Sequence, residues 1–148
     1  MNSEWFECKV RFEKTMETGL LKKVTETYMV DALSFTEAER RFIEEMKPYI
    51  SGEFTVTDIR RSRLTEVLEA ADAAADRWFK AKVAYITLDE KTGGEKRTIN
   101  NILVQAADFR EALKNLDNAM KGTLGEWVIV SIAETPVMDI FRYKKEEK

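Results

Sequence analysis

WFECKVRFEK, from Trp5 to Lys14, is nearly written out again as WFKAKVAYIT, from Trp78 to Thr87. In the first copy Phe6, Cys8, Val10 and Phe12 alternate with Trp5, Glu7, Lys9, Arg11 and Glu13. A period of two predicts a strand with one buried face, here the even one. Outward from this stretch, Gly19 breaks the alternation and Lys22 to Asp31 resumes a β-rich composition, so the two runs form a hairpin turning near Gly19. The period then becomes helical: Phe35, Ala38, Phe42 and Met46 share one side of SFTEAERRFIEEMK, with charges on the other. Ser34 followed three residues later by Glu37 is a capping-box pattern, in which the hydroxyl serves an orphan helix amide and the carboxylate reaches back. Pro48 and Gly52 close the helix. EFTVTDI then alternates as a third strand, and LTEVL, beyond the basic run Arg60, Arg61, Ser62, Arg63, either extends it or forms a short fourth.

Residues 69–77 are rich in Ala and Asp, which suits a linker or a short surface helix. After them the pattern starts over. Trp78, Phe79, Lys82 and Val83 answer Trp5, Phe6, Lys9 and Val10, and past the longer turn DEKTGG, Phe109, Glu111, Ala112 and Met120 answer Phe35, Glu37, Ala38 and Met46. Asp108 stands where Ser34 stood, one good N-cap replacing another. EWVIVSI answers EFTVTDI and VMDIF answers LTEVL. The matches fall at buried strand positions, caps and helix core, where a shared fold places them. The expected fold class is therefore α+β: internally duplicated β-β-α-β units with pseudo-twofold symmetry, in an antiparallel-rich sheet or a pair of small sheets, with two helices on one side. The first repeat spans 1–68 and the second 78–148, ending in the charged tail KKEEK, which is expected to fray. Because about 65 residues are marginal alone, the repeats are expected to share one compact domain.

Composition narrows the function classes. Lys and Arg number 24 against 27 Asp and Glu, a net charge of −3, so a polyanion would need local clustering of cations. There is no histidine and one cysteine, Cys8, which leaves no disulfide, no zinc set and no His-based acid–base chemistry; no cofactor and no metal are expected. The carboxylate pairs Glu44/Glu45 and Asp89/Glu90 sit in charge-rich helix or turn segments and read as solvated. Gly93 and Gly94 make a hairpin turn, not a phosphate loop, since no helix opens behind them. No stretch approaches the roughly 20 apolar residues that span a bilayer, and the sequence reads as a cytoplasmic protein that does not engage membranes.

The copies differ on the strand face turned away from the helix. In the first repeat it carries Trp5, Glu7, Lys9, Arg11, Glu13, Thr55 and Thr57; in the second, Trp78, Lys80 and Lys82 give way to Ala84, Ile86, Leu88, Ile99, Leu103, Val128, Val130 and Ile132. Two candidate surfaces follow. Trp5, Lys9, Arg11, Lys22, Lys23, Arg60, Arg61, Trp78, Lys80 and Lys82 mix aromatic rings with cations, as a platform for single-stranded nucleic acid requires. The competing reading is a solvated face diluted by Glu7 and Glu13, whose Lys and Arg discourage edge pairing. Ile86, Leu88, Val128 and Val130 are candidates for an interface, since a sheet apolar on both sides needs a second cover, either within the chain or from a second copy.

WFECKVRFEKT, VDALSFTEAE, MKPYISGEFTVTDI, VQAADFREAL and SIAETPVMDIF together resemble an uncharacterised bacterial and phage-associated family of about this length, a domain of unknown function. The likeness covers nearly the whole chain. It implies a small intracellular protein of anaerobic gut-type bacteria or their mobile elements, and an accessory binding protein rather than a housekeeping enzyme. It supplies no functional residue. Two readings stay open: a non-enzymatic binding protein for single-stranded nucleic acid, and a homodimeric protein-interaction module built on the apolar face.

Overall fold

In chain order the elements are β1 (Glu4–Thr15), β2 (Leu21–Ala32), α1 (Phe35–Met46), β3 (Phe54–Arg61), β4 (Leu64–Leu68), β5 (Arg77–Leu88), β6 (Glu95–Ala106), α2 (Phe109–Met120), β7 (Glu126–Glu134) and β8 (Val137–Phe141). The computed structural model describes residues 2–143, so the tail at 144–148 lies outside the described residues. The class is α+β, each repeat runs β-β-α-β followed by a five-residue strand, and the sheets are two, each of four strands. Residues 69–77 form no helix; a turn is closed by Ala75 N–H on Asp72 O at 3.0 Å.

The strand orders are β3-β1-β2-β8 and β4-β6-β5-β7. The short strands have changed places. β4 follows β3 in sequence yet pairs parallel with β6, and β8 follows β7 yet pairs parallel with β2. Two compact units result: one runs up to Ser62 and resumes at Pro136, and the other is the continuous stretch Arg63–Thr135. These boundaries differ from the sequence repeats at 1–68 and 78–148, and the connectors give the reason. Ser62-Arg63 and Thr135-Pro136 are two-residue links, and a two-residue hairpin needs positive φ. Among the described residues no non-glycine residue has positive φ, and proline cannot adopt it, so neither link folds its strand back onto its predecessor.

In the first unit Phe6, Cys8, Val10, Val30, Ala32, Ala38, Phe42, Met46 and Ile50 form one buried cluster between α1 and the sheet, as the even positions of β1 foretold. In the second, Phe79, Ala81, Val83, Ile102, Val104, Ala106, Ala112, Leu116 and Met120 do the same under α2. Ser34 Oγ accepts from Glu37 N–H at 3.1 Å while the Glu37 carboxylate accepts from Leu33 N–H; Asp108 accepts from Glu111 N–H at 2.8 Å.

The duplication extends to the irregularities. β1 and β3 slip register between Lys9 and Val10, leaving Thr57 as the extra residue, and β5 and β7 slip between Lys82 and Val83, leaving Val130. Such a bulge reverses the alternation beyond it. Ile132, expected on the open face with Val128 and Val130, therefore packs toward α2. The exchanged strands are clamped alike. Arg41 of α1 donates to the Asp31 carbonyl and, at 2.8 Å, to that of Arg142, and Asp31 accepts from Tyr143 N–H at 3.4 Å. In the second unit Asn115 donates to the Gln105 carbonyl at 3.1 Å, and the Gln105 side chain accepts from Ala70 N–H at 3.0 Å. The positions correspond, but one clamp is charged and the other neutral.

Candidate binding surfaces

On the open face of the first unit, Arg11 of β1 stands between Thr25 of β2 and Thr55 of β3, and Glu13 faces Lys23 one row further along. The loop Ser51–Gly52–Glu53 brings β3 in beside them, with Gly52 at φ +105 where a side chain would be strained. These residues border a cleft of about 660 Å³ with the half-buried rings of Phe12 and Phe54. Among the described residues Arg11, Lys22 and Lys23 have no carboxylate within ion-pair distance, whereas Lys9 lies 4.0 Å from Glu7.

The same locus of the second unit is apolar. Ala84 stands between Ile99 and Val128, and the next row reads Glu126–Ile86–Arg97 across β7, β5 and β6. Val130 on the bulge is 51% exposed, Leu88 76% and Leu124, in the loop before β7, 94%; Ile99 and Val128 are exposed as well. Position by position, Arg11 has become Ala84, Glu13 Ile86, Thr25 Ile99, Ser51 Leu124, Thr55 Val128 and Thr57 Val130. The interface candidates Ile86, Leu88, Val128 and Val130 thus sit on one face near one end of one sheet. Leu124 belongs with them and went unnoticed in the sequence, although alignment of the repeats sets it opposite Ser51.

The nucleic-acid candidates are scattered. Trp5 is 9% and Trp78 2% exposed, so neither ring offers a face for a base to stack on. Arg142 lies over the Trp5 ring at 5.7 Å. Arg60 is paired with Asp58 at 2.7 Å, and Arg61 with Glu4 at 2.7 Å while lying over Phe35. Lys80 and Lys82 belong to the second unit, where they project beside Leu103 and Asn101. What remains together is Arg11 and Lys23 at one end of the first unit's sheet, while Lys22, the next residue along β2, is turned to the opposite face.

Cys8 is buried and its thiol is pushed up to about 12 by desolvation, with Glu7 and Asp58 adding to the rise. It is a small core residue, not a nucleophile. Burial, then the neighbouring Glu26, raises Tyr28 to about 12. Among the described residues no group of three or more Cys, Asp or Glu is placed to hold a metal ion, and no helix is long and apolar enough to cross a membrane.

The family described as a domain of unknown function, DUF4494, matches residues 4–143. The chain belongs to the DUF4494 family. The match runs from the start of β1 to beyond β8, so a single DUF4494 domain contains both repeats and both exchanged strands. Comparison with the curated proteins finds no match.

Proposed function

We propose that this DUF4494 protein is a non-enzymatic binding protein that self-associates through the open face of its second unit, as a homodimer. One observation carries the reading: exposed Val128 and Ile99, which flank the buried Ala84, are bordered by the row Glu126–Ile86–Arg97, whose outer members have opposite charge. A twofold axis passing near Ile86 would set Arg97 of each copy against Glu126 of the other, and an isologous contact requires such self-complementarity. Exposed Val130, Leu88 and Leu124 enlarge the apolar centre. Standard interfaces bury roughly 800 Å² per partner, with an apolar middle and a charged rim. A nucleic-acid platform is less well supported because both Trp rings are closed to solvent and Arg60 and Arg61 already have carboxylate partners.

The setting we propose is the cytoplasm, on the strength of a lone buried cysteine. A bacterial or mobile-element origin rests on the family resemblance alone.

Analytical ultracentrifugation over a wide concentration range tests the reading. The wild-type chain is expected to sediment as a dimer, and Val128→Thr with Val130→Thr as a monomer that remains folded, since the first unit carries Thr55 and Thr57 at these places. Arg97→Glu should weaken the dimer and Arg97→Glu with Glu126→Arg should restore it. A wild-type monomer at high concentration, or a charge swap that fails to rescue, would overturn it.

A further inference from the structure

We infer that the cleft at the open end of the first unit is a binding site for a small zwitterion, a molecule bearing one anionic group and one ammonium group. The fold does not demand polar residues there. The second unit builds the same sheet, loop and bulge with Ala84, Ile86, Leu124 and Val128 where the cleft has Arg11, Glu13, Ser51 and Thr55. Lys23 and Glu53 recur in the second unit as Arg97 and Glu126, but Arg11 and Glu13 at the centre belong to one copy and not to the architecture, which separates this spot from an ordinary solvated surface.

The chemistry is laid out in two rows. Arg11 brings a forked guanidinium to a cleft also lined by Thr55 and Thr57, and such a fork meets a carboxylate or phosphate with paired hydrogen bonds. Lys23 adds a second cation on the adjacent row. Glu13 and Glu53 line the same cleft, and their carboxylates would repel a polyanion while accepting the hydrogens of an ammonium group. A ligand with both charges satisfies both sets; a simple anion leaves the carboxylates opposed, and a simple amine leaves the cations opposed. The half-buried Phe12 and Phe54 contribute apolar wall, and about 660 Å³ falls within the range of small-molecule sites.

Titration of ¹⁵N-labelled protein with free amino acids and short peptides, with inorganic phosphate, with an alkylamine and with a single-stranded oligonucleotide tests the assignment. At least one zwitterion is expected to give saturable shifts at the amides of Arg11, Ser51 and Thr55. Arg11→Ala, which installs the residue found at Ala84, should weaken that binding by about tenfold or more with melting temperature retained. Glu13→Gln should also weaken it. No saturable response to any zwitterion would overturn the inference. So would preferred binding of phosphate or the oligonucleotide that Glu13→Gln strengthens, which would mark a polyanion site.

Discussion

Replacing Arg41 by alanine removes the α1 side of the clamp on β8, and the structure allows its cost to be worked out beside an internal control. Arg41 makes two hydrogen bonds to carbonyls, those of Asp31 and Arg142, and lies 5.5 Å from the Tyr143 ring. Hydrogen bonds from a charged donor contribute roughly 1.5–3 kcal/mol each when desolvated. Arg41 is only half-buried and the Arg142 bond is exposed, so water replaces part of what is lost. The expected cost is therefore about 1.5–3 kcal/mol in total, with the exposed ring contact adding no more than about 1 kcal/mol. Asn115→Ala, at the matching position of α2, deletes one neutral bond of 3.1 Å and should cost about 0.5–1.5 kcal/mol. Urea unfolding of the two variants measures the difference. Hydrogen exchange locates it: β8 amides should lose protection in Arg41→Ala while those of β6 and α2 keep theirs. If Arg41→Ala costs less than about 0.5 kcal/mol, or β8 protection is unchanged, the clamp does not hold that strand.

Phe42→Ala, at a fully buried position beside Tyr28, should destabilise by about 3–5 kcal/mol, and Leu116→Ala at the matching position by about 2–5 kcal/mol, both read from denaturant midpoints. Cys8 should resist a thiol reagent in the native state and react fully once urea unfolds the chain; rapid native labelling would contradict its buried, protonated state. Cys8 rises from 9.0 and Tyr28 from 10.0, each to about 12, so above pH 9 the unfolded chain releases these protons before the folded one does. Their contribution to stability is complete below pH 9 and is lost as pH climbs toward about 12. Unfolding midpoints measured across that window should fall, and Cys8→Ala should flatten the lower part of the slope.

The element order was legible because local signals agreed: two-residue alternation in Phe6 to Phe12, helical spacing from Phe35 to Met46, and caps at Ser34 and Asp108. The open faces were legible in outline, since the replacement of Arg11 and Glu13 by Ala84 and Ile86 is plain in the repeat. Strand partners were not. LTEVL has the same composition whichever sheet it joins, and only the missing turn residues at Ser62-Arg63 hinted that it would leave β3. Ile132 was set on the wrong face because strict alternation was carried past the bulge, whose mark in the hydrophobic pattern is a change of phase, Val56 to Ile59 and Ile129 to Ile132. The rings of Trp5 and Trp78 illustrate a third limit. Their strand phase was read correctly, but phase does not disclose whether a large ring on an open face stays accessible.

The traded places of β4 and β8 carry a lesson for anyone dissecting the gene. A fragment cut at the end of the first repeat, after Leu68, would hold three strands and a helix that lack a bordering strand, together with a five-residue segment whose docking edge has been discarded. Two such fragments could each supply what the other is missing, so the halved protein would be expected to pair with itself although the intact one closes the circuit internally. The piece to express is instead Arg63–Thr135, which carries all four strands of its sheet on an unbroken length of chain.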